Sequence, residues 1–269
     1  MGNDYVVSEI EKEHITSLLK QDKRIDGRAF DEVREIKIET DLVKKAEGSA
    51  IVTLGKTKII VGIKAVLGTP FSDTPDSGVI TTSAELSPIA SPFFESGPPS
   101  ASAIELARVT DRAIRESHCI DLSKLCVIPK KSVWILFIDF YILDDNGNLF
   151  DAAVLGAVAA LATTKIPKVK ILEDDEVEIL EETEPLKIGH YPVSVTAFKI
   201  GKHNIIDANF KEERISEARI TVGFDEENHI VSLQKGKIGV FKPDEVISII
   251  KNSLNVSKNL RKELMKALS

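Results

Sequence analysis

The chain has 269 residues, of which 43% are hydrophobic and 29% are charged, and its formal net charge is −7 at pH 7. This composition is typical of a globular protein with a sizeable core, and the acidic balance argues against a protein that coats nucleic acid. Any contact with nucleic acid must therefore come from a local patch or from a partner chain.

The chain contains two cysteines, Cys119 and Cys126, so no disulfide framework is predicted and we expect a reducing compartment. His118 beside Cys119 lacks the spacing of a zinc site, and no metal site is predicted there. We recognise no signal peptide and no apolar run long enough to span a bilayer. We therefore expect a cytoplasmic protein without membrane contact.

The N-terminal part of the chain predicts one helix followed by strands. Residues 4–21 are predicted to form an amphipathic helix, and the RIDGR turn follows at 24–28. Apolar and charged residues alternate at 35–39, which indicates a half-buried strand. A further strand is predicted at 79–87, after a loop rich in Pro, Ser, Thr and Asp.

Residues 46–67 predict a β-hairpin that turns at residues 55–57. Gly48 and Gly62 interrupt its apolar pattern. Because glycine within a strand often marks a close approach of two backbones, we expect such an approach at both positions.

The helix predicted from Ser100 to Ser117 separates an apolar face from a basic face. Ser102 and Glu105 have the spacing of a capping box at its first turn. At about 100° per residue, one arc carries six residues that we expect to be buried: Leu106, Ala107, Val109, Thr110, Ala113 and Ile114. The opposite arc carries three arginines: Arg108, Arg112 and Arg115.

Two interpretations of the three arginines remain open on spacing alone. In the first they form a solvated face, on which Glu105, Asp111 and Glu116, three or four residues away, can pair with them. They form a phosphate-binding row if their planar guanidinium groups are left free, since these groups suit phosphate oxygens.

Residues 132–143 are nearly all apolar and predict a central strand that is covered on both faces. Asp139 is its one charged residue and would be a buried carboxylate in need of partners. Trp134 on this strand is predicted to lie in the core. A turn at 144–148 then leads into a predicted Ala-rich buried helix at 149–164.

Residues 165–189 are first lysine-rich and then acidic, and we interpret them as a surface excursion between two subdomains. Four strands are then predicted, at residues 192–200, 204–208, 218–224 and 229–235, before a long helix at 243–268. Strands followed by helices, twice in one chain, predict an α+β fold with internal duplication. The predicted divisions are an N-terminal helix and turn (1–28), a first subdomain (29–170), an acidic linker (171–189) and a second subdomain (190–269).

Five elements in this order resemble the RNase PH family of phosphorolytic exoribonucleases over essentially the whole chain. They are RIDGR at 24–28, the hairpin at 48–57, the IELARV helix, the apolar strand before the DDNGN turn, and IID at 205–207. The resemblance implies an RNase PH-like fold of two similar subdomains. Within the family, DTP, GPP and IELARVTDR most resemble the archaeal exosome ring subunit that lacks an active site of its own.

The resemblance also implies which catalytic groups are missing. Phosphorolysis brings inorganic phosphate against an RNA phosphodiester, so an active subunit needs cations to hold the phosphate. Active relatives carry two arginines where this chain has Ala101 and Ser102, and Gly-Ser-Arg where it has residues 147–149, Gly-Asn-Leu. Their two aspartates, six residues apart, correspond to Asp207 and Glu213. We therefore expect no catalytic residue and no resident cofactor or metal.

Three acidic residues need a separate interpretation: Asp207, Glu212 and Glu213. Such a cluster can hold a metal ion, but acidic residues on a loop after a strand are usually solvated. We prefer the solvated interpretation. The five histidines show no arrangement of a nucleophile and a base, and we expect them to be structural or surface residues.

By resemblance, the chain alternates with a catalytic RNase PH-like exosome subunit in a hetero-hexamer, a trimer of heterodimers whose pore admits single-stranded RNA. RNA-binding cap subunits would be further partners. Arg108 and Arg112 match positions that such a subunit contributes to the RNA path, whereas Arg115 is an RNA-binding candidate on the helical wheel alone. The alternatives are an active phosphate-dependent 3′-to-5′ exoribonuclease with a rearranged site at Asp207 and Glu213, and a structural spacer without RNA contact.

Overall fold

The computed structural model describes residues 9–269. Within them lie five α-helices: α1 (Glu9–Leu19), α2 (Ala101–Glu116), α3 (Leu149–Thr163), α4 (Phe210–Ile215) and α5 (Pro243–Leu268). The strands of the first half are β1 (Ile36–Thr40), β2 (Gly48–Leu54), β3 (Thr57–Gly68), β4 (Val79–Leu86), β5 (Cys126–Ile128) and β6 (Ser132–Asp144). The remaining strands are β7 (Lys165–Ile171), β8 (Val177–Pro185), β9 (Val193–Ile200), β10 (His203–Ile206), β11 (Ala218–Phe224) and β12 (Ile230–Gly236).

The strands form two main sheets and a separate hairpin. The first sheet has the order β1-β2-β3-β6-β4, in which β4 pairs with β6 in parallel and the other pairs are antiparallel, and β5 also pairs with β6. The second sheet is antiparallel and has the order β10-β9-β11-β12, while β7 and β8 pair only with each other. Each main sheet is followed in the chain by a long helix, which confirms the α+β prediction.

Helix α3 joins the two sheets into one core. It packs against β2 and β3 of the first sheet and against β9 of the second. All its residues from Phe150 to Leu161 are buried, and its alanines let both sheets approach closely. Helix α1 packs elsewhere: its Ile15 and Leu19 lie against Phe198 and Ile205 of the second sheet. The N-terminal helix is therefore attached to the second half of the fold.

Most of the predicted elements are confirmed within one or two residues at each end. The hairpin of β2 and β3, the four strands of the second sheet and the long final helix all form. The helix predicted at 4–21 is described from Glu9 to Leu19, and residues 4–8 lie outside the described residues. Between residues 9 and 269, no helix is long and apolar enough to cross a membrane.

The predicted capping box of α2 is wrong. The helix begins at Ala101, and Ser100 is the capping residue, with its hydroxyl accepting a hydrogen bond from the Ala103 N–H at 3.2 Å. Glu105 instead pairs with Arg219 of the second sheet at 2.5 Å. The buried face was predicted correctly, since all six residues of the apolar arc are buried.

The prediction that β6 is covered on both faces is also wrong. Alternate residues from Trp134 to Ile142 are buried, but Tyr141 on the other face is 47% exposed. Asp139 lies on that open face, where the Ser83 hydroxyl donates to it at 2.6 Å, so it is not a buried charge. Trp134 is buried in the core as predicted.

Residues 165–185 form an exposed antiparallel hairpin, in which Lys168 pairs with Glu182 at 2.9 Å. This hairpin occupies the stretch that we interpreted as a surface excursion. The division placed between residues 170 and 171 falls inside β7, which ends at Ile171. The exact limits of the subdomains remain a prediction.

Gly48 on β2 and Gly62 on β3 lie on paired strands, but their surroundings differ. A Cβ atom on Gly48 would overlap the Thr164 hydroxyl and the Ala160 carbonyl oxygen at the end of α3, so this close approach is confirmed. A Cβ atom on Gly62 would meet nothing within 4 Å, so the predicted approach is wrong there. Of these two positions, space requires glycine at 48 and not at 62.

We predict that Gly48→Ala lowers the free energy of unfolding by about 2 kcal/mol, because the added methyl group must push α3 away from β2. Gly62→Ala on the neighbouring strand is the matched control and should change it by less than about 0.5 kcal/mol. Urea unfolding followed by circular dichroism measures both values. Equal stability of the two variants would contradict this packing of α3.

Asp151 in the first turn of α3 ties that helix to β9. Its buried carboxylate accepts hydrogen bonds from the N–H and hydroxyl of Thr196 at 2.9 and 2.7 Å, and from Ser194 Oγ at 3.1 Å. Asn148 Nδ2 donates to it at 2.8 Å. Burial raises the pKa of Asp151 from 3.8 to about 6, and these donors offset the loss of water only in part.

We predict that Asp151→Asn removes one pH-dependent contribution to stability. Between about pH 4 and pH 6 the native carboxyl holds a proton that the unfolded chain has released, so its contribution to stability falls as the pH rises. The free energy of unfolding of the variant, relative to wild type, should therefore rise by up to about 3 kcal/mol from about pH 4 to pH 7. Chemical unfolding at a series of pH values measures this difference.

The asparagine can keep the hydrogen bonds, because the hydroxyls of Ser194 and Thr196 can accept from its amide as well as donate to it. Asp73→Asn on an exposed loop makes the same change in charge and is the control, with no such trend expected. A pH profile of Asp151→Asn that parallels the wild type would show that Asp151 is ionised normally.

Candidate functional site

Asp207, which the sequence resemblance relates to a catalytic aspartate, is fully buried just after β10. Arg34 surrounds its carboxylate with three donors: the backbone N–H at 2.8 Å, Nε at 2.9 Å and Nη2 at 2.7 Å. Arg28 Nη1 donates to it at 2.9 Å and Asn148 Nδ2 at 2.8 Å. The carboxylate therefore already has five donors from within the chain.

These contacts keep Asp207 ionised. Burial alone would raise the pKa of Asp207, but the hydrogen bonds and charge of Arg34, together with the Asn148 amide, hold it below its ordinary value. The pKa of Arg34 is raised in turn: burial opposes its charge, and the Asp207 carboxylate more than compensates. The pair is thus held as an internal ion pair.

Glu212 forms a second buried ion pair, with Arg24 of the RIDGR turn. Two hydrogen bonds join the groups, at 2.6 and 3.0 Å, and neither side chain is exposed to solvent. Arg24 also donates to the carbonyl oxygens of Ile206 and Asp207, each at 2.9 Å. Glu212 accepts from the Asn209 N–H as well, which completes a capping box at the start of α4.

Glu213 lies at the N-terminal end of α3. Its carboxylate accepts a hydrogen bond from the backbone N–H of Asn148, the capping residue of that helix, at 2.7 Å. A helix N-terminus favours anions because its first N–H groups and its dipole carry partial positive charge. The chain thus supplies its own anion at this position. Burial raises the pKa of the nearby Asp145 to about 6, and the negative charge of Glu213 is the second contribution to this rise.

The expectation that these three acidic residues are solvated is therefore wrong for Asp207 and Glu212, which are buried and paired with arginines. Sequence reasoning missed the partners Arg24, Arg28 and Arg34. No local spacing could have revealed them, because each pair joins residues that lie more than 170 positions apart. Among residues 9–269, no group of three or more His, Cys, Asp and Glu residues could hold a metal ion.

A cleft of about 570 Å³ opens beside this ionic cluster. Arg28 and Arg34 line it, but both are already bound to Asp207. Lys211 at the cleft pairs with Glu11 at 2.6 Å. Ala101 and Ser102, where the resemblance implies arginines in active relatives, are exposed and uncharged. Lys56 also lines the cleft and forms no ion pair with residues 9–269, so it is the one lining cation that an incoming phosphate would find without a carboxylate partner in that range.

The basic face of α2 is not uniform. Arg108 is exposed, and its guanidinium group makes no hydrogen bond or ion pair with any other described residue. Arg112 is exposed too, and its Nη1 donates to Gln234 Oε1 on β12 at 3.1 Å. Arg115 is half-buried and bound to Asp111 through two hydrogen bonds, at 2.7 and 3.2 Å. Arg108 and Arg112 thus carry charges that no carboxylate of residues 9–269 neutralises.

Of the acidic partners expected for a solvated face, Asp111 alone pairs with an arginine of α2. Glu105 binds Arg219, and Glu116 forms no ion pair with Arg112 within the described chain. The expected pairing thus forms for Arg115 and not for Arg108 or Arg112, whose exposed guanidinium groups fit either interpretation.

Arg219 fixes α2 against the second half of the fold. Its guanidinium group lies 3.8 Å from the centre of the Phe150 ring, at the start of α3, and it is bound to Glu105 on α2. The side chain is only 6% exposed. This part-buried contact connects α2 to the start of α3 and to the second sheet.

Comparisons with known proteins agree with this architecture. The sequence matches the 3′ exoribonuclease family, domain 1, over residues 32–167, and domain 2 of the same family over residues 190–256. An exosome complex component Rrp42 from Thermococcus kodakarensis is 50% identical over 269 residues, which cover all of this chain and 99% of the relative.

Two solved structures are similar in fold and sequence. One is described as the Archaeoglobus fulgidus exosome with RNA bound to the active site; it has a TM-score of 0.88 and 42% identity, over 95% of this chain and 98% of that one. The other is an archaeal exosome core, with a TM-score of 0.85 and 38% identity, over 96% and 97% of the two chains. With two matched domains that span most of its length, the chain belongs to the RNase PH family of 3′ exoribonucleases.

Proposed function

We propose that this chain is a ring subunit of the archaeal exosome, a 3′-to-5′ RNA-degrading complex, and that it does not itself cleave RNA. In this proposal it pairs with a catalytic RNase PH-like subunit as a trimer of heterodimers. The full-length similarity to a protein named exosome complex component Rrp42, and to chains of exosome structures, supports the assignment to the complex. A cytoplasmic location and contacts with RNA-binding cap subunits follow from it as further predictions.

The neutralised ionic cluster is the observation that carries the non-catalytic assignment. Phosphorolysis must hold a phosphate ion against an RNA phosphodiester, and this requires cations or donors that are free to bind it. Here Arg28 and Arg34 are bound to Asp207, and the Glu213 carboxylate accepts the hydrogen bond from the N–H of Asn148, the capping residue of α3. Displacing these internal partners would leave buried charges unpaired, at a cost of about 3–5 kcal/mol for each broken pair.

Arg108 and Arg112 are the residues that we propose to contact RNA. Their guanidinium groups are exposed, lie one helical turn apart and pair with no carboxylate of the described residues, so they can bind successive phosphates without reading bases. Such contacts suit a degradative channel that accepts any sequence. Arg115 belongs to the same row, but its pairing with Asp111 makes it the weakest member.

We predict that Arg108→Ala combined with Arg112→Ala leaves ring assembly intact, weakens binding of single-stranded RNA by about tenfold and slows its degradation. Loss of two phosphate contacts should also lower the slope of log K against log salt by about 1.4. Fluorescence anisotropy of labelled RNA on the reconstituted ring, at several salt concentrations, measures both effects.

The matched control is Lys258→Ala with Lys262→Ala, which removes two exposed cations with the same spacing from α5. This control should bind RNA like the wild type. If the arginine double variant assembles and degrades RNA at the normal rate, the assignment of Arg108 and Arg112 is wrong.

We also predict that the isolated chain shows no phosphate-dependent shortening of RNA, with or without magnesium. The reason is that Arg28 and Arg34 beside its cleft are already bound to Asp207. Release of nucleoside diphosphates from single-stranded RNA is the measurement. The ring reconstituted with the catalytic subunit is the positive control. Robust release by the isolated chain would instead support an active enzyme with a rearranged site.

A further inference from the structure

Gln234 is the described residue that touches the exposed guanidinium group of Arg112. It lies on β12, an outer strand of the second sheet, opposite Thr221 of β11. Its Nε2 donates to the Lys235 carbonyl oxygen at 3.1 Å, and its Oε1 accepts from Arg112 Nη1 at 3.1 Å. The bond to the carbonyl determines which end of the amide faces α2, because only the nitrogen can donate.

The neutral amide has a different effect on Arg112 from that of a carboxylate. A glutamine oxygen restricts the guanidinium group but carries no charge, so Arg112 keeps its full attraction for an anion. Asp111 also restricts its partner, Arg115, but neutralises it. Glu116, one turn further along α2, forms no ion pair with Arg112 within the described chain. The contact thus orders Arg112 and leaves its charge available.

We propose that Gln234 is a positioning residue for RNA binding, which holds the Arg112 guanidinium group in place from the second domain without neutralising it. This inference rests on the proposed function, because it needs Arg112 to contact RNA. It makes a residue outside the arginine helix a determinant of RNA affinity, and it requires that residue to be uncharged.

The test compares substitutions at position 234 in the reconstituted ring, with RNA affinity as the readout. Gln234→Glu should weaken binding by about fivefold, as much as Arg112→Ala does, because the new carboxylate pairs with Arg112. Gln234→Ala should weaken it by only about twofold, since the charge remains and only the orientation is lost. In the Arg112→Ala background, Gln234→Glu should have no further effect.

Lys235→Gln is the matched control. It changes the net charge by the same amount at the next position of β12, where the side chain points to the opposite face of the sheet. This variant should bind RNA like the wild type. Thermal unfolding of each ring confirms that all variants remain assembled and folded.

The outcomes separate this inference from the proposed function. If Arg112→Ala weakens RNA binding but Gln234→Glu binds normally, the role of Gln234 is overturned and the proposed function stands. If Arg112→Ala itself does not weaken RNA binding, then both the proposed RNA contact of Arg112 and the positioning role of Gln234 are overturned. If Gln234→Glu weakens binding equally in the presence and absence of Arg112, Gln234 does not act through that arginine and the inference fails.

Discussion

The hydrogen-bonded ion pairs around the Asp207 carboxylate are the interaction on which the rest of the structure depends. A buried carboxylate is stable only when donors replace the lost water, and here Arg28, Arg34 and Asn148 do so from the first half of the chain. The same contacts join the end of the second sheet to the start of α3. Their consequence for function is that two arginines beside the cleft serve the fold and are not free for a substrate.

Charge is therefore distributed in two different ways over the molecule. Inside, each arginine of the ionic cluster is matched by a carboxylate, as in the Arg24–Glu212 pair, whose side chains are both fully buried. Outside, Arg108 and Arg112 pair with no carboxylate of the part of the chain that the structure describes, and they lie on a helix that is anchored by its buried face. An acidic protein can thus carry a small basic surface, which we propose contacts RNA while partner subunits supply the remaining affinity.

Local patterns in the sequence predicted those parts of the fold that local physics determines. The buried arc of α2, the turn between β2 and β3 and the buried helix α3 follow from hydrophobic periodicity and turn residues. Periodicity cannot report which charges meet across the fold, so the Arg24–Glu212 pair, 188 residues apart, was missed. For the same reason Glu105 was assigned to a helix cap, although its partner is Arg219 on a distant strand.

The most direct test is to measure binding of orthophosphate to the isolated, full-length chain. Isothermal titration calorimetry measures the heat of binding, and crystals grown in phosphate show where an ion binds. The account predicts no heat of binding in the millimolar range and a Glu213 carboxylate that still accepts from the Asn148 N–H. A phosphate ion bound at the N-terminus of α3, with Glu213 displaced, would contradict it.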